Sequence, residues 1–206
     1  MIRKIITLTF IAISLSFPAL AEVMRITETL DELPCISAER RLELARNPEG
    51  KTPDELNRLI PEINAVELHN AASNATPGDR LRLIAWNLER GRAWRGAAQL
   101  IGAHPALQNP DIIFLSEMDR GMERAGNEHT TRLLAEALGM NYAYAVEFLE
   151  LPRGKTEADC EAYAQANECG YEGNAILSRF PLLNARALRF PGIELWYGSS
   201  QHRLGG

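Results

Sequence analysis

The strongest structural signal in the sequence is the segment Pro110-Asp111-Ile112-Ile113-Phe114-Leu115-Ser116-Glu117-Met118-Asp119-Arg120. Four consecutive apolar side chains follow the Pro-Asp pair, which predicts a short strand buried on both faces and not an amphipathic helix. The apolar run gives way to a carboxylate at Glu117. In open α/β sheets, ligands bind beyond the carboxyl ends of strands, because side chains there leave the core while the backbone stays rigid. Glu117 is therefore a candidate site residue.

A second strand of the same kind lies upstream, at Leu81-Arg82-Leu83-Ile84-Ala85-Trp86-Asn87. Roughly a dozen residues with a helical pattern separate the two strands, about the length that a right-handed crossover needs. If the strands are parallel neighbours, Asn87 and Glu117 leave the same edge of the sheet, about 5 Å apart. A carboxylate beside an amide at a sheet edge is a suitable seat for a hard cation and a phosphate.

The first 21 residues have the pattern of an export signal. Arg3 and Lys4 precede an apolar run from Ile5 to Phe17, and Ala19-Leu20-Ala21 is a small-x-small cleavage site. The run is too short for a stable membrane span, so we expect none in the mature chain. Removal of the two cations takes the formal net charge from −5 to −7. A chain this acidic has no basic patch for nonspecific binding to phosphodiester backbones. Nuclease activity is still compatible with this charge, since a metal ion can supply the local positive charge.

The three cysteines are Cys35, Cys160 and Cys169. Export implies an oxidising compartment, either periplasmic or extracellular, in which disulfides form. The short spacing between Cys160 and Cys169 predicts that these two pair and close a loop, which leaves Cys35 unpaired.

The segment 22–78 is mostly helical and polar in pattern, with a helix start at Thr52-Pro53-Asp54-Glu55 and a turn-rich linker at 71–78. It predicts a helical N-terminal extension in which no chemistry is visible. The compact domain is expected to cover residues 79–206. After the Glu117 strand, the pattern predicts a helix from about Asn127 to Gly139 and strands over 141–148 and 173–179.

Three motifs, in this order and spacing, resemble the first half of the endonuclease/exonuclease/phosphatase (DNase I-like) superfamily. They are Ile84-Ala85-Trp86-Asn87-Leu88, Asp111-Ile112-Ile113-Phe114-Leu115-Ser116-Glu117 and Gly173-Asn174-Ala175-Ile176-Leu177-Ser178-Arg179-Phe180-Pro181. The resemblance implies an α/β fold, the N-terminal half of a two-sheet α/β sandwich, and metal-dependent phosphoester hydrolysis with Mg²⁺ or Mn²⁺. It also implies that Glu117 binds the metal, that Asn87 holds metal and phosphate, and that Asn174 lies near the substrate.

The family's later motifs are a strand ending in a histidine, a Gly-Asp-x-Asn and an Asp-His pair, and none of them occurs in these 206 residues. We therefore expect an N-terminal fragment that is inactive alone, since the groups that would activate water are missing.

Simpler interpretations stay open for each of these residues. Glu117 could pair with Arg120 or Arg124, and Asn87 could close a turn into Gly91. Asn174 could satisfy the backbone at a strand start. Two other residues are expected to be ordinary: Asp119 as a solvated partner of an arginine, and His129 as a surface histidine at a helix start.

The sequence thus predicts an exported phosphodiesterase, nuclease or phosphatase whose substrate is nucleic acid, a lipid head group or a sugar phosphate. The alternative is a noncatalytic exported module whose sheet edge binds an anion or a partner. Fold alone does not choose a substrate.

Overall fold

The computed structural model describes residues 24–46, 58–71, 75–190, 197–198 and 201–205. The expected export signal, residues 1–21, and the helix start at Thr52–Glu55 lie outside these ranges.

The described residues form a mixed α/β fold. The strands are β1 (Met24–Ile26), β2 (Thr29–Leu30), β3 (Val66–His69), β4 (Leu83–Arg90), β5 (Ile112–Arg120), β6 (Asn141–Glu150), β7 (Tyr171–Ser178), β8 (Ala187–Arg189), β9 (Tyr197–Gly198) and β10 (Gln201–Gly205). The helices are α1 (Ala38–Arg46), α2 (Trp94–Ala103), α3 (Thr130–Leu138) and α4 (Glu157–Ala166), with 3₁₀ turns at Pro61–Ile63 and Glu123–Ala125.

The main sheet has the strand order β2-β3-β6-β7-β5-β4, and β10 pairs with β6. Strands β4 and β5 are parallel, with Leu83 opposite Ile112 and Asn87 opposite Ser116, and α2 connects them. The predicted parallel crossover is confirmed. Strand β7 runs antiparallel to both β5 and β6. Strand β8, which follows β7 in the chain, pairs with β1 and not with a strand of the main sheet.

One face of this sheet carries the core. Ile113 and Leu115 of β5 are buried there with Ala97 and Ile101 of α2 and Leu134 of α3. The helices are amphipathic, so their apolar stripes cover this face while polar side chains face solvent.

The opposite face is only partly covered within the described residues. Leu83 of β4 is 57% exposed and Ile176 of β7 is 37% exposed. The segment Leu182–Phe190 borders a cleft of 950 Å³ over this face. The prediction of burial on both faces is therefore wrong for the described chain, in which the apolar run alternates between a buried and a half-buried face.

The N-terminal segment contains the expected helical part, α1, and also strands that the sequence pattern did not predict. Strand β3 joins the main sheet antiparallel to β6, and β2 extends it further. The side chain of Arg41 in α1 is buried and donates hydrogen bonds to backbone carbonyls. One acceptor, Ile36, lies just before α1, and the others lie in or after α4, at Ala164, Asn167, Glu168 and Cys169. The segment is thereby fixed to the loop that follows α4.

The disulfide joins Cys35 to Cys169, which are 134 residues apart in the chain, and Cys160 is free. The predicted Cys160–Cys169 pair and the unpaired Cys35 are both wrong. Cys160 belongs to α4, whose start is fixed by a capping box between Thr156 and Asp159. Cys169 is buried, and the N-terminal segment brings Cys35 to it. Spacing in sequence is thus outweighed by packing in the fold.

Within the described ranges, every helix is too short or too polar to cross a lipid bilayer.

Candidate functional site

The two candidate residues meet at the carboxyl ends of β4 and β5. The amide Nδ2 of Asn87 donates a hydrogen bond of 2.9 Å to Oε1 of Glu117. This contact follows from the parallel register, which places Asn87 opposite Ser116, the residue before Glu117. The structure therefore brings together the pair that the sequence placed at one sheet edge.

Both strands are irregular at this point. The β5–β7 register shifts between Leu115 and Met118, so that Ser116 and Glu117 together oppose Asn174. Glu117 has a φ of 57°, a left-handed conformation that is uncommon for a residue with a side chain. Bulges and strained residues of this kind re-aim side chains and are frequent at functional sites. The distortion points to a requirement on the position of Glu117 that a regular strand does not meet.

A similar irregularity follows Asn87. Glu89 and Arg90 have φ values of 46° and 72°, and the β4–β5 register shifts between Asn87 and Arg90. The side-chain Oδ1 of Asn87 accepts a 2.9 Å hydrogen bond from the backbone N–H of Glu89. Asn87 thus closes a local turn, as the simpler interpretation expected, and contacts Glu117 as well.

The arginine that pairs with Glu117 is Arg90, whose Nη1 lies 3.1 Å from Oε2. The expected partners were Arg120 and Arg124, and both bind other carboxylates: Arg120 pairs with Glu67 and Arg124 with Asp119. The Glu117 side chain is 33% exposed and so remains open to solvent on one side.

Asn174 is exposed on β7 and donates a 2.8 Å hydrogen bond to Glu147 Oε2. The register places it opposite the Glu117 bulge in the neighbouring strand. It lies along the cleft on the half-covered face of the sheet.

Next to Glu117, and joined to it through Arg90, lies a cluster of three buried carboxylates and three partly exposed arginines that the sequence did not predict. Its members are Asp119, Glu150, Glu172, Arg90, Arg124 and Arg203. Arg124 forms a two-point contact with Asp119 at 2.7 Å and 2.7 Å. Burial raises the pKa of Asp119 and of Glu172, although the arginines oppose this. Asp119 is an arginine partner as expected, but it is fully buried and not solvated.

A second buried cluster surrounds Glu67 and includes His129. The imidazole Nε2 lies 2.8 Å from Glu67 Oε1, and Nδ1 accepts a hydrogen bond from the Arg132 backbone N–H. Burial lowers the pKa of His129 despite the neighbouring Glu67, so that the ring is neutral at pH 7 and donates through Nε2. The expectation of a surface histidine is wrong, since its side chain is 9% exposed. The sequence did not indicate this burial, because the partner of His129 is Glu67, and no strand was predicted around Glu67.

The residues at the edge limit the kind of metal site that is possible. No group of three or more His, Cys, Asp or Glu side chains among the described residues is arranged to hold a metal ion. One carboxylate with a neighbouring amide, open to solvent, fits a cation such as Mg²⁺ that keeps most of its water ligands. The donor chemistry therefore suits a hydrated hard cation and not a softer, fully protein-bound one.

A sequence model of the Endonuclease/Exonuclease/phosphatase family matches residues 84–195, more than half of the chain. The match includes Asn87, Glu117 and Asn174. Comparison with curated proteins and with solved structures gave no match. The chain belongs to the Endonuclease/Exonuclease/phosphatase family.

Proposed function

We propose that this member of the Endonuclease/Exonuclease/phosphatase family is an exported phosphoesterase that depends on Mg²⁺, or on Mn²⁺ in its place. The observation that supports the proposal most is the contact between Asn87 and Glu117 at a bulged sheet edge, with Glu117 in a left-handed conformation. A partly exposed carboxylate on a strained backbone destabilises the fold, and binding of a ligand would explain why it is present.

Each residue of the edge has a defined task in this proposal. Glu117 offers its carboxylate to the cation, and Asn87 orients that carboxylate through the 2.9 Å hydrogen bond. The second N–H of the Asn87 amide can donate to a phosphate oxygen without the repulsion that a carboxylate would exert. Asn174 contributes a further amide to the substrate. A bound Mg²⁺ supplies neutralisation of charge on the phosphoryl oxygens.

The substrate is a phosphoester of nucleic acid, a lipid head group or a sugar phosphate. These share the group that the edge would bind, a phosphoryl centre with negatively charged oxygens. The mature chain carries a net charge of −7 after removal of residues 1–21, so long-range attraction of a polyanion is not its source of affinity. Recognition would be local, at the cation and the amides.

Export is supported by the leader pattern of residues 1–21 and by the Cys35–Cys169 disulfide, because stable disulfides belong to oxidising compartments. N-terminal sequencing of protein recovered outside the cytoplasm is expected to begin at Glu22. Protein retained with an intact Met1 end contradicts the export proposal.

Within residues 1–206, we assign no general base. Of the histidines whose side chains the structure describes, His129 is engaged with Glu67, and neither His69 nor His104 contacts Glu117. A positioned base is typically worth about 10²–10⁴-fold in rate. We therefore propose that these residues by themselves bind the cation but do not turn over phosphoesters at an enzymatic rate.

The test is hydrolysis of a chromogenic phosphodiester with Mg²⁺ by protein expressed from its complete reading frame. Glu117→Gln is expected to lower the rate of hydrolysis by about 10²-fold or more, because it removes the carboxylate that would hold the Mg²⁺ ion. The matched control is Glu123→Gln, at an exposed glutamate on the 3₁₀ turn after β5, and it should leave the rate unchanged. Equal rates for wild type and Glu117→Gln contradict the proposal. Phosphate binding with no Glu117-dependent turnover supports the alternative, an anion-binding module.

A further inference from the structure

We propose that Arg90 is a substrate-binding residue, whose guanidinium is anchored from behind by Glu172 and donates to a phosphoryl oxygen beside Glu117. The proposal rests on the proposed function of the Asn87–Glu117 edge and adds the residue that binds the phosphoryl group there. Arg90 lies outside the three sequence motifs that resemble the family.

Arg90 stands at the edge where the substrate would bind. It is the last residue of β4, three positions after Asn87, and its φ of 72° is left-handed. Its side chain is one-quarter exposed, and Nη1 lies 3.1 Å from Glu117 Oε2. A side chain that is partly open and next to the candidate metal ligand can reach an anion bound at that cation.

Glu172 fixes the arginine from the interior. Its Oε1 contacts Arg90 Nη1, and its Oε2 accepts a 3.0 Å hydrogen bond from Arg124 and lies 3.3 Å from Arg203. Glu172 is 1% exposed, so water does not compete for the hydrogen bonds of this carboxylate. A guanidinium held on one side in this way loses less conformational entropy when it binds an anion on the other side.

Arg90 keeps donors for a ligand. A guanidinium carries five N–H groups, and the contacts of Arg90 with Glu117 and Glu172 both use Nη1. Among the described residues, none accepts a hydrogen bond from its Nε or Nη2. Arginine N–H groups match phosphate oxygens in charge and in geometry, and two of them can bind one phosphate together.

The charges of the cluster favour the same role. Three buried carboxylates, Asp119, Glu150 and Glu172, are matched by three arginines, which leaves the partly exposed Glu117 as the excess negative charge. A divalent cation held by Glu117 would compete with Arg90 for that carboxylate. Arg90 would then keep its contact with Glu172 and be available to an anion beside the cation.

This arrangement predicts opposite signs for two ligands. Loss of the Arg90 charge should weaken phosphate binding, because a donor to the anion is removed. It should leave cation binding unchanged or tighter, because a competing positive charge beside Glu117 is removed. A residue that merely holds Glu117 in place would weaken both.

The test uses the 206-residue chain and two probes: Mn²⁺, followed by electron paramagnetic resonance, and inorganic phosphate with Mg²⁺ present, followed by calorimetry. Arg90→Gln is expected to weaken phosphate binding by about 10- to 100-fold, the range for a hydrogen bond to a charged group. Arg90→Lys should retain part of the affinity. The control is Arg46→Gln, which removes an arginine paired at 2.9 Å with Glu157 on the surface and should change neither ligand.

A second variant, Arg90→Gln with Glu172→Gln, removes one positive and one negative charge, so the net charge of the cluster is unchanged, and it should show the same phosphate loss in a well-folded chain. Unchanged phosphate affinity in Arg90→Gln overturns the proposal, as does equal loss of Mn²⁺ and phosphate, or no phosphate binding by the wild type. If Mn²⁺ does not bind, or binds Glu117→Gln as well as wild type, the proposed metal site fails independently of Arg90.

Discussion

Glu67 and Glu117 are two glutamates of the same sheet with different surroundings. Glu67 on β3 is fully buried, and its carboxylate accepts from or pairs with five groups, which belong to Leu33, Arg120, His129, Arg132 and Tyr142. Glu117 on β5 is one-third exposed, contacts Asn87 and Arg90, and has a left-handed backbone. The protein supplies five partners to the Glu67 carboxylate, whereas the Glu117 carboxylate is open on one side to a further ligand.

The comparison shows that an altered pKa does not by itself identify a functional residue. Burial opposes ionisation of Glu67, but the hydrogen bond from His129, the charge of Arg120 and the backbone N–H of Leu33 lower its pKa to about 2. Such a shift is also what a structural ion-pair network produces. Unfilled coordination and backbone strain distinguish Glu117, and these are the features that a ligand site requires.

The largest expected effect is on stability, at Glu67. Glu67→Ala leaves Arg120, which is 5% exposed at its side chain, without its buried partner. Breaking a buried ion pair from one side costs about 3–5 kcal/mol. Urea denaturation should therefore show a loss of this size in the free energy of unfolding.

The matched control for Glu67 is Glu43→Ala, which removes a surface partner of Arg40 and should cost about 1 kcal/mol or less. A cost for Glu67→Ala no larger than that of the control would mean that Glu67 does not hold the N-terminal segment to the sheet.

The next effect concerns the covalent link in the same region. Cys35→Ser opens a loop of more than 130 residues and should cost about 2–5 kcal/mol, whereas Cys160→Ser should cost nearly nothing. Nonreducing peptide mapping is expected to yield a peptide that contains Cys35 and Cys169. Recovery of a Cys160–Cys169 peptide with a free Cys35 would refute the pairing.

Acid should weaken the Glu67 cluster. The lowered pKa of His129 means that the unfolded chain takes up its proton first as pH falls below about 6.5, which destabilises the fold. The lowered pKa of Glu67 adds a second loss of stability as pH falls from about 4.5 to about 2. This loss, from Glu67 alone, is on the order of 3 kcal/mol in the free energy of unfolding.

The measurement is urea denaturation at a series of pH values from 7 to 3. The control variant His129→Asn should remove the part of the loss that begins near pH 6.5. Higher stability at pH 5 than at pH 7 in the wild type would contradict the assignment of His129 as buried and neutral.

Local patterns were enough to predict the Asn87–Glu117 edge. Two apolar strands joined by one helical segment determine a parallel pair, and the contact follows from the register. The Glu67 cluster and the disulfide depend on residues far apart in the chain, such as Leu33 with Glu67 and Cys35 with Cys169. No local periodicity encodes such contacts. The left-handed φ of Glu117 lies at a register shift between β5 and β7, which no local pattern encodes either.

The smallest expected effect is a gain in stability on substitution of Glu117. Glu117→Gly removes the side chain that the left-handed conformation disfavours, so it should stabilise the fold by up to about 1 kcal/mol. The same change at Glu67, which is in a regular strand, should destabilise it. Thermal and urea denaturation of both variants check this, and a clear loss of stability in Glu117→Gly would show that Glu117 is needed for folding.

The most direct test of the contrast is Mn²⁺ binding to the wild-type chain and to Glu117→Gln, measured by electron paramagnetic resonance with the free energy of unfolding measured alongside. We expect Mn²⁺ affinity to fall by about tenfold or more in Glu117→Gln, since the carboxylate charge that holds a hard cation is lost. The free energy of unfolding should change by less than about 1 kcal/mol, as for other partly exposed ion pairs. Equal Mn²⁺ affinity in the two proteins, or a loss of stability as large as that of Glu67→Ala, would contradict the assignment of Glu117 as a ligand-binding rather than a structural carboxylate.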